Sequence, residues 1–258
     1  MKRIAITLFS AVVALSCVAK VKDSKVEVLQ AYEHKTDAYT QGLFFWNGQM
    51  YETTGQYGES SIRKVDCTSG KLLAKVSFTD KYFAEGSCVV DGKLYVLTWK
   101  NRLAFVYDPQ TLKYVRTISY PRDGWGLAAV PSDFAAGQSL PQAVMVSSDG
   151  SSNLYFLDSE LRTLKTLGVT IGGRPVRLLN ELEWIDGKIW ANVYTTDMIV
   201  IINPETGAVE EKMDCSALIP RSQRSARMDV LNGIAQGPDG SVYLTGKYWP
   251  KLFKISRK

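Results

Sequence analysis

The sequence predicts an all-β fold, a five-bladed β-propeller closed by an N-terminal strand, and three observations carry that prediction. A plan of short strands and tight turns recurs five times from "YTQGLFFWNGQMYETTG" to the C-terminus. Its period of roughly 40 to 55 residues is that of a four-stranded propeller blade. Asn-Gly or Asp-Gly pairs punctuate the copies in "WNGQ", "VDGK", "IDGK" and "PDGS", and such pairs favour hairpins because they accept positive φ at low cost. No stretch sustains a helical spacing of apolar residues.

Taken in chain order, Lys2 and Arg3 precede an apolar run from Ile4 to Leu15. That run is too short to span a bilayer and has the shape of an export signal. It ends in "ALSC", which resembles a bacterial lipoprotein cleavage site with Cys17 as the lipidated first residue, although Ala14 stands where Leu is more usual. The expected organisation is a signal peptide over 1–16, a short tether over 17–25 and a propeller domain over 26–258. The expected location is the periplasm or the membrane surface of a bacterial envelope, soluble if ordinary signal peptidase cuts instead. "VEVLQAYE" then reads as a strand without a partner in its own copy.

The five copies begin at "YTQGL", "YFAEGS", "DGWGL", "LNELEW" and "LNGIAQ", and their third strands are "SIRKVD", "AFVYD", "LYFLD", "MIVIIN" and "LFKIS". The fifth copy runs out of chain after three strands, so "VEVLQAYE" is expected to supply its outer strand and close the ring. "PSDFAAGQSLPQ" in the third copy and "GGRPVR" before the fourth read as surface loops.

Bulk properties narrow the function. The chain has 258 residues, 45% of them hydrophobic, and a net charge of +5 with no Lys/Arg block beyond a mild cluster at Arg221, Arg224 and Arg227. Nucleic acid is therefore not an expected partner, membrane contact is expected only through a lipid anchor, and the protein is expected to be a monomer. Cys67, Cys88 and Cys215 allow at most one disulfide, and Cys88 beside Val89 and Val90 reads as a buried small hydrophobe. With one histidine, His34, neither a zinc ligand cluster nor a Ser-His-Asp triad is available. No metal and no cofactor are expected.

Aligning the copies puts Gln41, Glu85, Trp125, Asn180 and Asn232 at the entrance to each innermost strand, and in a propeller those entrances converge on the central channel. Glu85 is the only acid among them. A second slot, at the end of the following strand, holds Trp99, Tyr194 and Lys247. A carboxylate, a lysine, amides and aromatics around one mouth suggest a site rather than a plug.

The motifs "YTQGL", "YETTGQYGESSIRKVD", "FAEG", "LTWKN", "GWGL", "SSDGSSNLYFLD", "LNELEWIDGKIWANV" and "VLNGIA" with "TGKYWPKLFKI" occur in that order. In them the chain resembles the glutaminyl-peptide cyclotransferases of the plant and bacterial type, from about Val28 to Ser256. The resemblance implies a five-bladed propeller that converts the N-terminal glutamine of peptides or proteins to pyroglutamate and ammonia. It places Gln41, Glu85, Trp99, Trp125, Asn180 and Lys247 on active-site positions. Two residues depart from the pattern: Ala84 where Gly is usual, and Tyr194 where Trp is usual.

The implied chemistry suits these residue types. The substrate's own α-amine attacks its γ-carbonyl, so the nucleophile is already tethered. The α-ammonium must lose a proton and the departing nitrogen must gain one, work that one carboxylate can do. Glu85 is expected in that role. Asn180 and Lys247 are expected to stabilise the oxyanion, with Lys247 also holding Glu85 by charge. Gln41 is expected to bind substrate, and Trp99, Trp125 and Tyr194 to wall it from water. The rival reading is a non-catalytic propeller that uses the same face as a binding scaffold at the cell envelope.

Overall fold

The computed structural model describes residues 20–258; the expected signal peptide and Cys17 lie outside them. A long first strand, β1 (Lys22–Glu33), is followed by two four-stranded antiparallel sheets. The first contains β2 (Thr40–Trp46), β3 (Gln49–Thr54), β4 (Ser61–Val65) and β5 (Leu72–Ser77). The second contains β6 (Ala84–Val90), β7 (Lys93–Thr98), β8 (Leu103–Tyr107) and β9 (Tyr114–Ser119). A third is made by β10 (Leu127–Ala129), β11 (Met145–Ser148), β12 (Asn153–Leu157) and β13 (Thr163–Gly168). After a small hairpin of β14 (Thr170–Ile171) and β15 (Arg174–Pro175) come β16 (Leu179–Ile185), β17 (Lys188–Val193), β18 (Met198–Ile202) and β19 (Val209–Asp214). The last strands are β20 (Leu231–Gln236), β21 (Val242–Gly246) and β22 (Lys251–Arg257).

The all-β expectation holds, and β1 closes the structure more thoroughly than the sequence suggested. Val26–Glu33 run antiparallel to β22, as expected of a missing outer strand. The preceding Lys22–Lys25, expected in the tether, pair in parallel with Glu211–Asp214 of β19. One strand thereby welds two groups into a single eight-stranded sheet, β16-β17-β18-β19-β1-β22-β21-β20.

The turn chemistry acts as expected in three hairpins. Asn47 and Gly48, Asp91 and Gly92, and Asp186 and Gly187 all have φ between 49° and 75°, the left-handed pair that a two-residue turn matched to strand twist requires. "PDGS" differs: the Gly237 N–H donates to the Ser241 carbonyl, giving a longer loop that Pro238 imposes by fixing its own φ. The insertion in the third copy is not merely a loop. Ser132–Gly137 form a short helix, α1, with Ala135 buried and Phe134 against Phe156 and Trp184 at 5.9 and 4.8 Å between ring centres.

Apolar side chains fill the spaces between neighbouring sheets. Val146, Leu154 and Phe156 of the third sheet, for example, form one cluster with Leu182, Ile189 and Val200 of the next. The innermost strands β2, β6, β10, β16 and β20 pack side by side in a closed circuit. Each junction has a hydrogen bond: Thr53 Oγ1 to the Glu85 carbonyl, the Gly86 N–H to the Trp125 carbonyl, and Ser148 Oγ to the Asn180 carbonyl. The Gly233 N–H to Asn192 Oδ1 and Asn232 Nδ2 to the Thr40 carbonyl complete it. Approach is too close for side chains: a Cβ on Gly126 would stand 2.0 Å from the Asn180 carbonyl oxygen.

Candidate active site

The strand entrances are built by a repeated irregularity. Register shifts occur at Thr40/Gly42, Ala84/Ser87, Leu179/Leu182 and Leu231/Ile234. Each is a bulge that takes the entrance residue out of the ladder and re-aims its side chain. At the mouth, the end of the second strand is tied two residues before the entrance, by bonds from the Gly55, Trp99, Tyr194 and Lys247 N–H groups to the Tyr39, Phe83, Leu178 and Val230 carbonyls. The two slots are thus held together by backbone.

They enclose a pocket of about 310 Å³ lined by Gln41, Glu85, Trp99, Trp125, Asn180, Tyr194 and Lys247, together with Tyr39, Gln56 and Phe83. All seven residues expected from the sequence are therefore brought to one place. Asn232 sits beneath and orients its neighbour. Because its Nδ2 donates to the Thr40 carbonyl at 2.9 Å, the same group must donate to Gln41 Oε1 at 3.2 Å. The Gln41 amide is left with its N–H₂ edge to offer. In Asn180, Oδ1 is buried without a partner among the described residues, leaving Nδ2 as the pocket-facing edge.

Glu85 is 5% exposed, and its carboxylate accepts no hydrogen bond and forms no ion pair among the described residues. Burial pushes this carboxyl well above the usual carboxylate range, Lys247 pulls it back and Asp123 pushes it further up. Lys247 is 2% exposed. Its expected hold on Glu85 by charge acts at a distance, since the two favour each other's charged forms while no ion pair joins them among the described residues. The ammonium lies instead between the rings of Tyr39 and Tyr194, 4.6 and 4.9 Å from their centres, where cation–π attraction replaces water. Burial lowers its pKa to about 8, against the opposing pull of Glu85 and Asp229.

Aromatic contacts fix the walls. Trp125 and Tyr194 meet edge to face at 5.5 Å, and Phe83 tilts against Trp99 at 5.6 Å. Glycines make room: a Cβ on Gly55 would stand 2.3 Å from the Phe83 ring, and one on Gly150 2.7 Å from the Trp125 indole. Tyr39 donates to Asp229 Oδ2 at 3.0 Å, which sets the ring under Lys247. His34 lies away from the pocket, buried between Glu52 at 2.9 Å and the Trp249 carbonyl at 2.7 Å. Both ring nitrogens are engaged in bracing the seam between β1, the first sheet and the last strands.

Sequence reasoning missed Tyr39, Gln56 and Phe83. Tyr39 and Phe83 occupy one repeat position, two residues before Gln41 and Glu85, so the alignment already held the signal. Gln56 follows Gly55 with φ of 87°, as Thr195 follows Tyr194 with φ of 71° and Tyr248 follows Lys247 with φ of 60°, so it too holds a repeat position, one residue after the second slot.

Comparisons with known proteins identify relatives in sequence and in fold. The glutamine cyclotransferase family model matches residues 3–256. A glutaminyl-peptide cyclotransferase of Arabidopsis thaliana is 37% identical over 243 residues, 91% of this chain and 72% of that protein. The crystal structure of Myxococcus xanthus glutaminyl cyclase matches with a TM-score of 0.82 at 31% identity, over 93% of this chain and 99% of that one. A streptogramin B lyase matches at 0.51 with 10% identity over 90% and 98% of the two chains, a likeness of fold alone. The chain belongs to the glutamine cyclotransferase family.

Proposed function

We propose that this protein is a glutaminyl-peptide cyclotransferase in which Glu85 moves the protons. The observation that carries the reading is a buried carboxyl with no partner of its own, facing a pocket that also holds the donor groups of Lys247, Gln41 and Asn180. An N-terminal glutamine placed there closes its own ring. Glu85 takes a proton from the α-ammonium, the freed amine attacks the γ-carbonyl carbon, and the carbonyl oxygen becomes an oxyanion. Lys247 Nζ and Asn180 Nδ2 stabilise that charge. As the oxyanion reforms a carbonyl, Glu85 gives its proton to the departing nitrogen and the C–N bond breaks; the carboxylate then takes the second proton of the ring nitrogen and passes it to the released ammonia, giving pyroglutamate and ammonium.

A carboxyl raised toward the working pH is suited to both directions of transfer. No step calls for a metal or cofactor. The Gln41 amide donates to the substrate, and Trp99, Trp125, Tyr194, Tyr39 and Phe83 exclude water.

We read the fold as five blades, the eight-stranded sheet being two of them joined through β1; the closed circuit β2, β6, β10, β16 and β20 supports that count. We also read the protein as an exported monomer anchored by lipid at Cys17, which mass spectrometry of the native N-terminus tests. For the activity, ammonia release from a glutaminyl dipeptide decides between enzyme and scaffold: steady release with stoichiometric pyroglutamate is expected, and none would leave the scaffold.

A further inference from the structure

The channel has a second mouth, and the proposed activity makes no use of it. Glu181 stands where the other four copies have glycine after the entrance residue. Its carboxylate enters the channel and accepts from the Leu43 N–H at 3.3 Å and the Ile234 N–H at 2.9 Å. Beyond it Glu183 accepts one bond, from the Gln236 N–H at 3.2 Å, and faces a pocket of about 270 Å³ lined by Phe45, Trp46, Val89, Pro131 and Trp184. Pro131 comes from the insertion whose helix presses Phe134 onto Trp184. Neither glutamate has an ion-pair partner among the described residues. Burial raises Glu183 to about 8, and burial with repulsion from Glu183 raises Glu181 well above its usual value.

We infer that this far mouth binds a small organic ammonium ion, with Glu183 as counter-charge and Trp46, Trp184 and Phe45 around it. The chemistry selects that class. With no positive group nearby among the described residues, both carboxyls are held toward the neutral form, and a cation entering the pocket supplies the charge that lets Glu183 ionise. Aromatic rings favour an organic one through cation–π attraction. A divalent metal ion would need several oxygen ligands, and Glu181 has already committed both of its oxygens to backbone. Glu183 keeps one oxygen free.

Calorimetric titration with n-butylammonium tests this, with n-butanol as its uncharged counterpart. Saturable binding of the amine and not the alcohol is expected, weakened about tenfold or more by Glu183→Gln and unaffected by Glu85→Gln. Glu183→Gln keeps an acceptor for the Gln236 N–H, and its thermal unfolding checks that it folds. Trp184→Leu, which leaves the charge, should also weaken binding. No saturable binding, equal binding of the alcohol, affinity unchanged from the parent in both far-mouth variants, or loss only in Glu85→Gln would each overturn the inference, the last by assigning the amine to the near mouth.

Discussion

The two mouths of the channel share an ingredient and differ in everything around it. Each presents a carboxyl raised by burial among aromatic rings, Glu85 at one end and Glu183 at the other. Near Glu85 stand a lysine and the amides of Gln41, Gln56 and Asn180. Near Glu183 stand apolar and aromatic groups, a thiol and no cation among the described residues. A raised carboxyl alone is thus not an active site. On the proposed reading, what would separate a proton-transfer centre from a cation receptor is whether donors are placed where negative charge develops during a reaction.

If that contrast is right, removing the donor charge should damage the near mouth most. Lys247→Met should lower kcat by about 100- to 1000-fold. Because Lys247 holds the Glu85 carboxyl down, the acid limb of kcat/KM should move to higher pH. Activity within a few-fold of the parent would erase the difference between the mouths.

The walls should matter less and differently. Tyr194→Ala removes ring contact with Trp125 and Lys247 and should raise KM about tenfold, whereas Tyr194→Phe should leave kcat nearly unchanged. A 100-fold fall in kcat for the Phe variant would make the hydroxyl an oxyanion donor.

Asp229 offers a smaller test of the same electrostatics. It faces Lys247 and favours the ammonium form, so Asp229→Asn should lower the lysine's pKa below about 8. The alkaline limb of kcat/KM should then move to lower pH, by less than a unit. An alkaline limb that stays put would show that Lys247 does not need its charge.

Much of this was readable from sequence because the repeat converts linear spacing into position. Once Gln41, Glu85, Trp125, Asn180 and Asn232 share a register, a ring places them together whatever the details of packing. The parts that were not readable depend on contacts between copies. Nothing local indicates that Lys22–Lys25 will add to β19, since parallel pairing leaves no turn signal. The place of Lys247 between Tyr39 and Tyr194, rather than against Glu85, is decided by rings from two sheets and by the Tyr39–Asp229 bond. Glu181, which breaks the glycine slot of the other four copies, is among the residues that sequence reasoning missed, and its reach into the channel depends on the neighbouring strands.

The most direct test is the turnover of Glu85→Gln on a glutaminyl dipeptide at pH 8, with thermal unfolding measured on the same sample. The native carboxyl binds its proton more tightly than in the unfolded chain, so its contribution to stability falls as pH rises above the ordinary value of 4.5. The glutamine variant should therefore unfold at an equal or higher temperature, by about 2–4 °C per kcal/mol regained. Turnover should fall about 100-fold or more. A well-folded variant that still releases ammonia at near-parental rate would contradict the assignment of proton transfer to Glu85.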